Sequence, residues 1–383
     1  MKWGTKRIEE ICSKVVSGGT PKSTNPAFYY PEEVPWLKTG EVNYCRIYNT
    51  ETYISKEGLT RSSAKIIPEN SVIVAMYGQG DTAGRVAINK IPLCTNQACC
   101  NLIINHDIAD YEYVYFVLSA LYDKLVSLKN GGAQPNLNVG IIKSIEIPFP
   151  DLETQHRIAS ILAAYDDLVE NNQRQIRLLE EAAQRLYKEW FVDLRFPGYE
   201  NVKIVNGVPE GWKKGVLGDI ALFKRGKTIT KSQVCKGKVP VVAGGLEPAY
   251  YHNKANTVAP VITVSGSGAN AGFSRLYNID VFASDCSFVD SEITPYVYFV
   301  YCFLKDIKEH IQSLQKGAAQ PHVYAKDINA LKLIIPTELK LKNYCELIKP
   351  FFEKIKTLQK QIEISLQARE RLLPKLMSGE LEV

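Results

Sequence analysis

The pentapeptide YVYFV stands at 113–117 and again, letter for letter, at 296–300, and around it most of the chain is said twice. G-x-A-Q-P at 131–135 returns at 317–321, an offset of 186 that holds without a gap as far as Leu186 and Leu372. Upstream the offset drifts: G-x-G-x-x-A-G at 78–84 returns 188 residues later, Val34-Pro35 returns 205 later as Val239-Pro240, and Trp3 returns 209 later as Trp212. Each copy is therefore a segment of variable length followed by one of fixed length. Two long copies in 383 residues make a duplicated domain pair, because a solenoid needs more and shorter repeats.

The fixed segments have helical periodicity. Ile158, Leu162, Tyr165, Val169, Asn172, Ile176, Leu179, Ala183, Leu186 and Trp190 alternate spacings of four and three, a heptad seam sustained over about four heptads. The second copy repeats it as Tyr344, Ile348, Phe351, Ile355, Leu358, Ile362, Ser365, Arg369, Leu372 and Leu376. Asn172, Ser365 and Arg369 are polar seam positions of the kind that set register at a cost in stability. Pro350 predicts a kink or a helix start, and Pro374 predicts the helix end, since proline lacks the amide donor. A seam of this length is ~50 Å long at 1.5 Å per residue.

The variable segments read differently. SVIVAMY (71–77), APVITVS (259–265), KSIEIPF (143–149) and ALKLIIP (330–336) are β-rich runs bounded by glycine, proline and asparagine, whereas 111–129 and 295–315 have helical spacing. The expected fold class is α+β: two similar mixed α/β domains, 1–150 and 196–336, each followed by a long helix within 151–195 and 337–383. The two helices are expected to pair as an intramolecular antiparallel coiled coil, although the seam itself does not give their orientation.

Composition excludes more than it assigns. Lys and Arg number 46 against 41 Asp and Glu, a net charge of +5 that neither proves nor rules out a nucleic-acid partner. The charge is uneven, with 16 basic against 11 acidic residues in 196–336 but 15 against 14 in 1–150. Nine cysteines without a C-x-x-C pair, and no zinc spacing around Cys94, Cys99 and Cys100, predict reduced structural thiols and no metal. The start MKWGTKRIEE has no apolar run behind it, and 113–122 is about half the length of a spanning helix, so a cytoplasmic location without membrane contact is expected.

No catalytic set emerges. GQGDTAG follows a strand but is succeeded by RVAINK, another strand-like run, so it reads as a glycine turn between strands rather than a dinucleotide site. RGKT at 225–228 lacks the first P-loop glycine, Ala221 standing in its place. There is no N-P-P-aromatic methyltransferase segment and no nuclease motif after Pro150-Asp151. The polar residues brought to loop tips suit hydrogen bonding to base edges or phosphates. In the second domain these are Lys224, Arg225, Lys227 and Lys231 in KRGKTITK, with Asn270 and Arg275 projected from the glycine turn; in the first they are Lys22, Gln79 and Arg85. The bland alternative is a solvated basic face.

GGAQPNLNVGIIKSIEIPFPDLETQHRIASILAAYDDLVENNQRQIRLLEEAAQRLYKEWF closely resembles the first conserved region of Type I restriction–modification specificity subunits. LLPKLMSGELEV resembles the usual C-terminus of that family, and SGGTPKSTNPAFYYPEEVPWLKTGEVN resembles the opening of many of its recognition domains. The loops of the second domain depart from the pattern. The resemblance implies a non-catalytic subunit whose two variable domains each read one half of a split double-stranded DNA target. It also implies that the paired helices act as ruler and docking surface for two methyltransferase subunits, joined for cleavage by motor-nuclease subunits. S-adenosylmethionine, ATP and magnesium would then belong to the partners, with no cofactor on this chain. The rival class is a duplicated coiled-coil adaptor that binds other proteins.

Overall fold

The computed structural model describes residues 3–129, 136–316 and 321–383. The G-x-A-Q-P strings therefore lie outside the described residues, apart from Pro321. The chain divides into two compact units, one of Met1–Glu170 with Ile362–Val383, the other of Asn171–Gln361.

The duplication read in the sequence is a duplication of topology. The first unit has a five-stranded sheet in the order Cys12–Ser17, Cys99–Ile104, Val72–Ala75, Val86–Asn89, Cys45–Ile47, antiparallel but for the last pair. The second has the first four of these as Lys224–Arg225, Cys286–Asp290, Val261–Ser265 and Ser274–Tyr277, all antiparallel. A smaller sheet recurs too: Val34–Leu37 pairs antiparallel with Tyr53–Ile54 and parallel with Cys94–Thr95, and Val239–Val242 does the same with Tyr250–His252 and Phe282–Ala283. A closing pair joins the ends of each domain, Thr5–Arg7 with Glu146–Pro148 and Lys213–Val216 with Lys332–Ile335.

Branched residues bury the central strands on both faces, Val72–Ala75 and Val261–Ser265 being buried throughout. The glycine strings close hairpins as expected, Val74 facing Val86 and Val264 facing Ser274. Each helical stretch is split in two: Tyr111–Ala120 and Tyr122–Ser127 in the first unit, Val297–Asp306 and Lys308–Ser313 in the second.

The first long helix spans Leu152–Tyr187 and passes into a π-helical turn at Lys188–Val192; the second spans Glu338–Ser378. Within the first unit Asp166 meets Arg369 and Arg157 meets Val383; within the second Asn172 meets Gln361 and Ala183 meets Tyr344. In each unit one number rises as the other falls, so the helical stretches run antiparallel. Ile158, Leu162, Val169, Ile348, Ile355 and Leu358 are buried; Tyr165, Ile176, Leu179, Leu186, Phe351, Ile362 and Leu372 are half-buried. Two of the polar seam positions have partners on the other helical stretch: Asn172 donates to Gln361 Oε1 at 3.4 Å and Arg369 pairs with Asp166.

The second long helix neither starts at Pro350 nor ends at Pro374, which corrects those two expectations. The helix runs through Pro350 and through Pro374 to Ser378. Each proline is exposed, as are Glu346 and Glu370 four residues earlier, so both prolines lie on the solvent-facing side of the helix.

Aromatic packing anchors the second helix pair. Phe191, Phe299 and Tyr344 form a mutual cluster with centroids 4.9–6.3 Å apart, and the Tyr344 hydroxyl donates to the Ala183 carbonyl at 3.1 Å. Cys94, Cys99 and Cys100 are buried, and burial pushes the Cys100 thiol up to about 12. Among the described residues no group of histidine, cysteine or acidic side chains is placed to hold a metal ion. Among them, too, no helix is long and apolar enough to cross a membrane.

Candidate nucleic-acid interface

In the second unit the edge strand Lys224–Arg225 leaves the sheet through a tight approach. Gly226 N–H donates to the Cys286 carbonyl at 2.8 Å, Lys227 N–H to Ala283 at 2.9 Å, and Ile229 N–H to Ser284 Oγ at 3.3 Å. These bonds hold the loop while Lys224, Arg225, Lys227 and Lys231 remain exposed. The first unit repeats the device: Gly18 N–H donates to Cys99 at 3.0 Å and Gly19 N–H to Thr95 at 2.9 Å, with Lys22 exposed just beyond. Gly18 and Gly226 are thus equivalent positions, one on each domain. The signal in the sequence was small, Gly18-Gly19-Thr20 against Gly226-Lys227-Thr228, and it falls where the offset drifts.

The close approach explains both glycines. A Cβ at Gly226 would stand 2.4 Å from the Ser284 carbonyl oxygen and 2.6 Å from that of Ala283. Neither is the end of a flexible side chain. Gly226→Ala is expected to shift the loop and to cost about 1–3 kcal/mol. A lowered melting temperature, with one half of the DNA target read less faithfully, is the outcome to measure.

The hairpin turns hold their polar residues in different ways. Gln79 is exposed, and its carbonyl accepts from Thr82 Oγ1 at 2.7 Å. Arg85 braces its own turn, donating to Asp81 at 2.5 Å and Asn43 at 2.9 Å, and this bond holds the Asp81 carboxyl below the usual range. Asn270 is half-buried. Arg275 does not project from the turn, which closes at Gly272 (φ 84°); it lies within the strand Ser274–Tyr277. There it donates to the Leu246 carbonyl at 2.5 Å and sits 5.2 Å from the Tyr277 ring centroid.

A group of residues that sequence reasoning missed lies beside Arg225. Together with Gly266, Asp285, His322, Tyr324 and Lys326 it lines a groove of about 430 Å³. His322 and Tyr324 stack at 5.9 Å with an interplanar angle of 11°, and Lys326 Nζ lies 5.8 Å from the Tyr324 ring. Cations, an acceptor and an aromatic face in one groove suit phosphate and base-edge contact together.

A family model described as the Type I restriction modification DNA specificity domain matches residues 1–181 and again 209–368, one match on each copy of the duplicated domain. The chain belongs to that specificity family. It is 29% identical over 412 aligned positions to the Type I restriction enzyme MjaIX specificity subunit of Methanocaldococcus jannaschii, covering all of this chain and 94% of that protein. The EcoR124I/EcoR124II specificity subunit of Escherichia coli is 28% identical over 194 positions, 50% of this chain and 47% of its own. Among solved structures, the Type I restriction–modification S subunit from M. genitalium covers 98% of this chain and 96% of its own with a TM-score of 0.63 at 19% identity, a likeness of fold. For a member of the Type I specificity family, two equivalent strand-exit loops carrying different side chains are the natural candidates for reading two different sequences.

Proposed function

We propose that this chain is the sequence-reading, non-catalytic subunit of a Type I restriction–modification complex, recognising a two-part double-stranded DNA target with one recognition domain per half. The observation that carries this is the repeated strand exit at Gly18 and Gly226: one backbone device, two sets of side chains. Two unequal copies of one reading head are what two unequal half-sites require. The long helices serve as spacer and as the docking surface for two methyltransferase subunits, with restriction and motor subunits joining for cleavage. S-adenosylmethionine, ATP and magnesium act on those partners, in the cytoplasm. Modest net charge fits this role, because partner subunits can supply much of the backbone contact. Two matches to a DNA specificity family disfavour the adaptor reading.

Exchanging residues 1–150 for the same region of a related protein tests the reading directly. The hybrid, assembled with its methyltransferase subunits, is expected to change one half of the modified motif and to keep the other half. Long-read methylome sequencing reads both halves at once. A simultaneous change in both would contradict independent heads, and no sequence-specific DNA binding by the wild-type complex would restore the adaptor.

A further inference from the structure

The duplication supplies an internal comparison. Val323 N–H donates to the Gly266 carbonyl at 3.1 Å, and Leu137 N–H donates to the Met76 carbonyl at 3.0 Å, so the segments after them are matched on the two sheets. With Gly226 matched to Gly18 through Cys286 and Cys99, the groove of the second unit can be compared position by position with the first. Arg225 corresponds to Ser17, Asp285 to Ala98, His322 to Asn136, Tyr324 to Asn138 and Lys326 to Gly140. The backbone bonds are kept and all five side chains differ. The frame around the groove is held while the side chains that line it change, so the two domains offer different chemistry to whatever they contact there.

Asp285 decides what that is. A carboxylate beside Arg225 and Lys326 repels phosphate, so it weakens a groove meant only for the backbone. Its Oδ2 accepts from Ser267 Oγ at 2.5 Å, which fixes the carboxyl in the groove wall. An acidic side chain at a DNA surface can accept from an exocyclic base amino group, and cytosine N4 is the usual donor for it in the major groove.

We propose that the groove of the second domain reads one base pair of its half-site, Asp285 accepting from the exocyclic amino group of cytosine while Arg225 and Lys326 hold the flanking phosphates. This rests on the DNA-reading function proposed above. Tyr324, 44% exposed and stacked on His322, forms a flat apolar wall against which a base or sugar can lie. The first domain, with Ala98 and Ser17 at the matching positions, reads no cytosine in this way.

The test uses the full chain assembled with its methyltransferase subunits. The motif of the wild-type complex is first mapped by methylome sequencing, and its duplex and every single-substitution duplex then serve as probes. In Asp285→Asn, Ser267 still donates to the amide oxygen, and an N–H donor now faces the groove. Binding to the cytosine-bearing duplex is expected to fall roughly tenfold to a hundredfold, while a duplex offering an acceptor at that one position gains relative to it. Retained assembly with the methyltransferase shows that the variant is folded. Arg225→Ala and Lys326→Ala, both at exposed positions, are the second arm: each should weaken all duplexes alike and lower the salt slope by about one. If Asp285→Asn leaves discrimination unchanged at every position, or weakens all duplexes equally, the base-reading assignment is overturned. If the alanine variants leave the salt slope unchanged, DNA does not cross this groove. Either result leaves specific binding by the wild-type complex standing, so it can be told apart from failure of the DNA-reading proposal itself.

Discussion

Ile176→Pro is expected to abolish DNA modification at every site, not to alter half of the motif. Ile176 lies inside the helix Leu152–Tyr187, half-buried and packed against the core of the second unit. Proline there removes the amide that would bond the Asn172 carbonyl, and its ring clashes with that same carbonyl, a cost of ~3 kcal/mol or more. Pro350 shows why position matters: it is accommodated within the second long helix because it and Glu346 face water. Asn172 is 2% exposed, so its carbonyl would have no water to turn to. The helical segments are the proposed docking surface, so loss of helix should appear as loss of co-purification with the methyltransferase subunits and an empty methylome. Leu178→Ala, at a 55% exposed position on the same helix, is the control and should cost little stability. A proline variant that assembles and methylates normally would remove the helix from the docking surface.

The contrast between these prolines also marks what could be read from residues alone. The seam was legible because spacings of three and four state which residues share a helix face, and its positions are buried or half-buried in the folded chain. The effect of a proline within that seam was not, since a missing donor matters only where the orphaned carbonyl is dry. Strands such as Val72–Ala75 and Val261–Ser265 announced themselves by branched residues between turn formers. The interface was harder. Arg275 follows three glycines closely, a pattern that suggests a turn, yet the hairpin closes at Gly272 and the strand's pairing places the arginine against Thr263. The equivalence of Gly18 and Gly226 depends on two hydrogen bonds to a strand some 60 to 80 residues away, which no local pattern encodes. His322, Tyr324 and Lys326 join Arg225 only through the fold, and nothing in their spacing points to a groove.

The polar break in the seam at Arg369 leads to the second large effect. Arg369 pairs with Asp166, and their side chains are only 18% and 10% exposed. Burial pushes the Asp166 carboxyl up, and the Arg369 and Arg46 guanidinium groups pull it back, while neighbouring Asp167 pushes it further up. Arg46 is itself committed, 8% exposed and bound to Glu112 at 3.2 Å and to Asp167, so it cannot swing over as a substitute. Arg369→Met keeps the apolar stem and removes the charge, leaving a half-compensated carboxylate in the seam. The expected loss is about 2–4 kcal/mol at pH 7, toward the lower end for breaking a fully buried pair. The sign of its pH dependence follows from the direction of the shift. In the variant the folded-state pKa of Asp166 lies further above its unfolded value, so the folded chain binds the proton more tightly. Stability is then greatest at pH below the unfolded pKa and falls as pH rises through the folded one. The deficit of Arg369→Met against the parent chain should therefore shrink as the pH is lowered from 7 toward 4. Urea unfolding across that range measures it, and Asp166→Asn in the same chain should recover much of the loss at pH 7 by replacing the stranded charge with a neutral amide. A deficit independent of pH, or no recovery in the double variant, would mean that Arg369 acts through the packing of its stem alone.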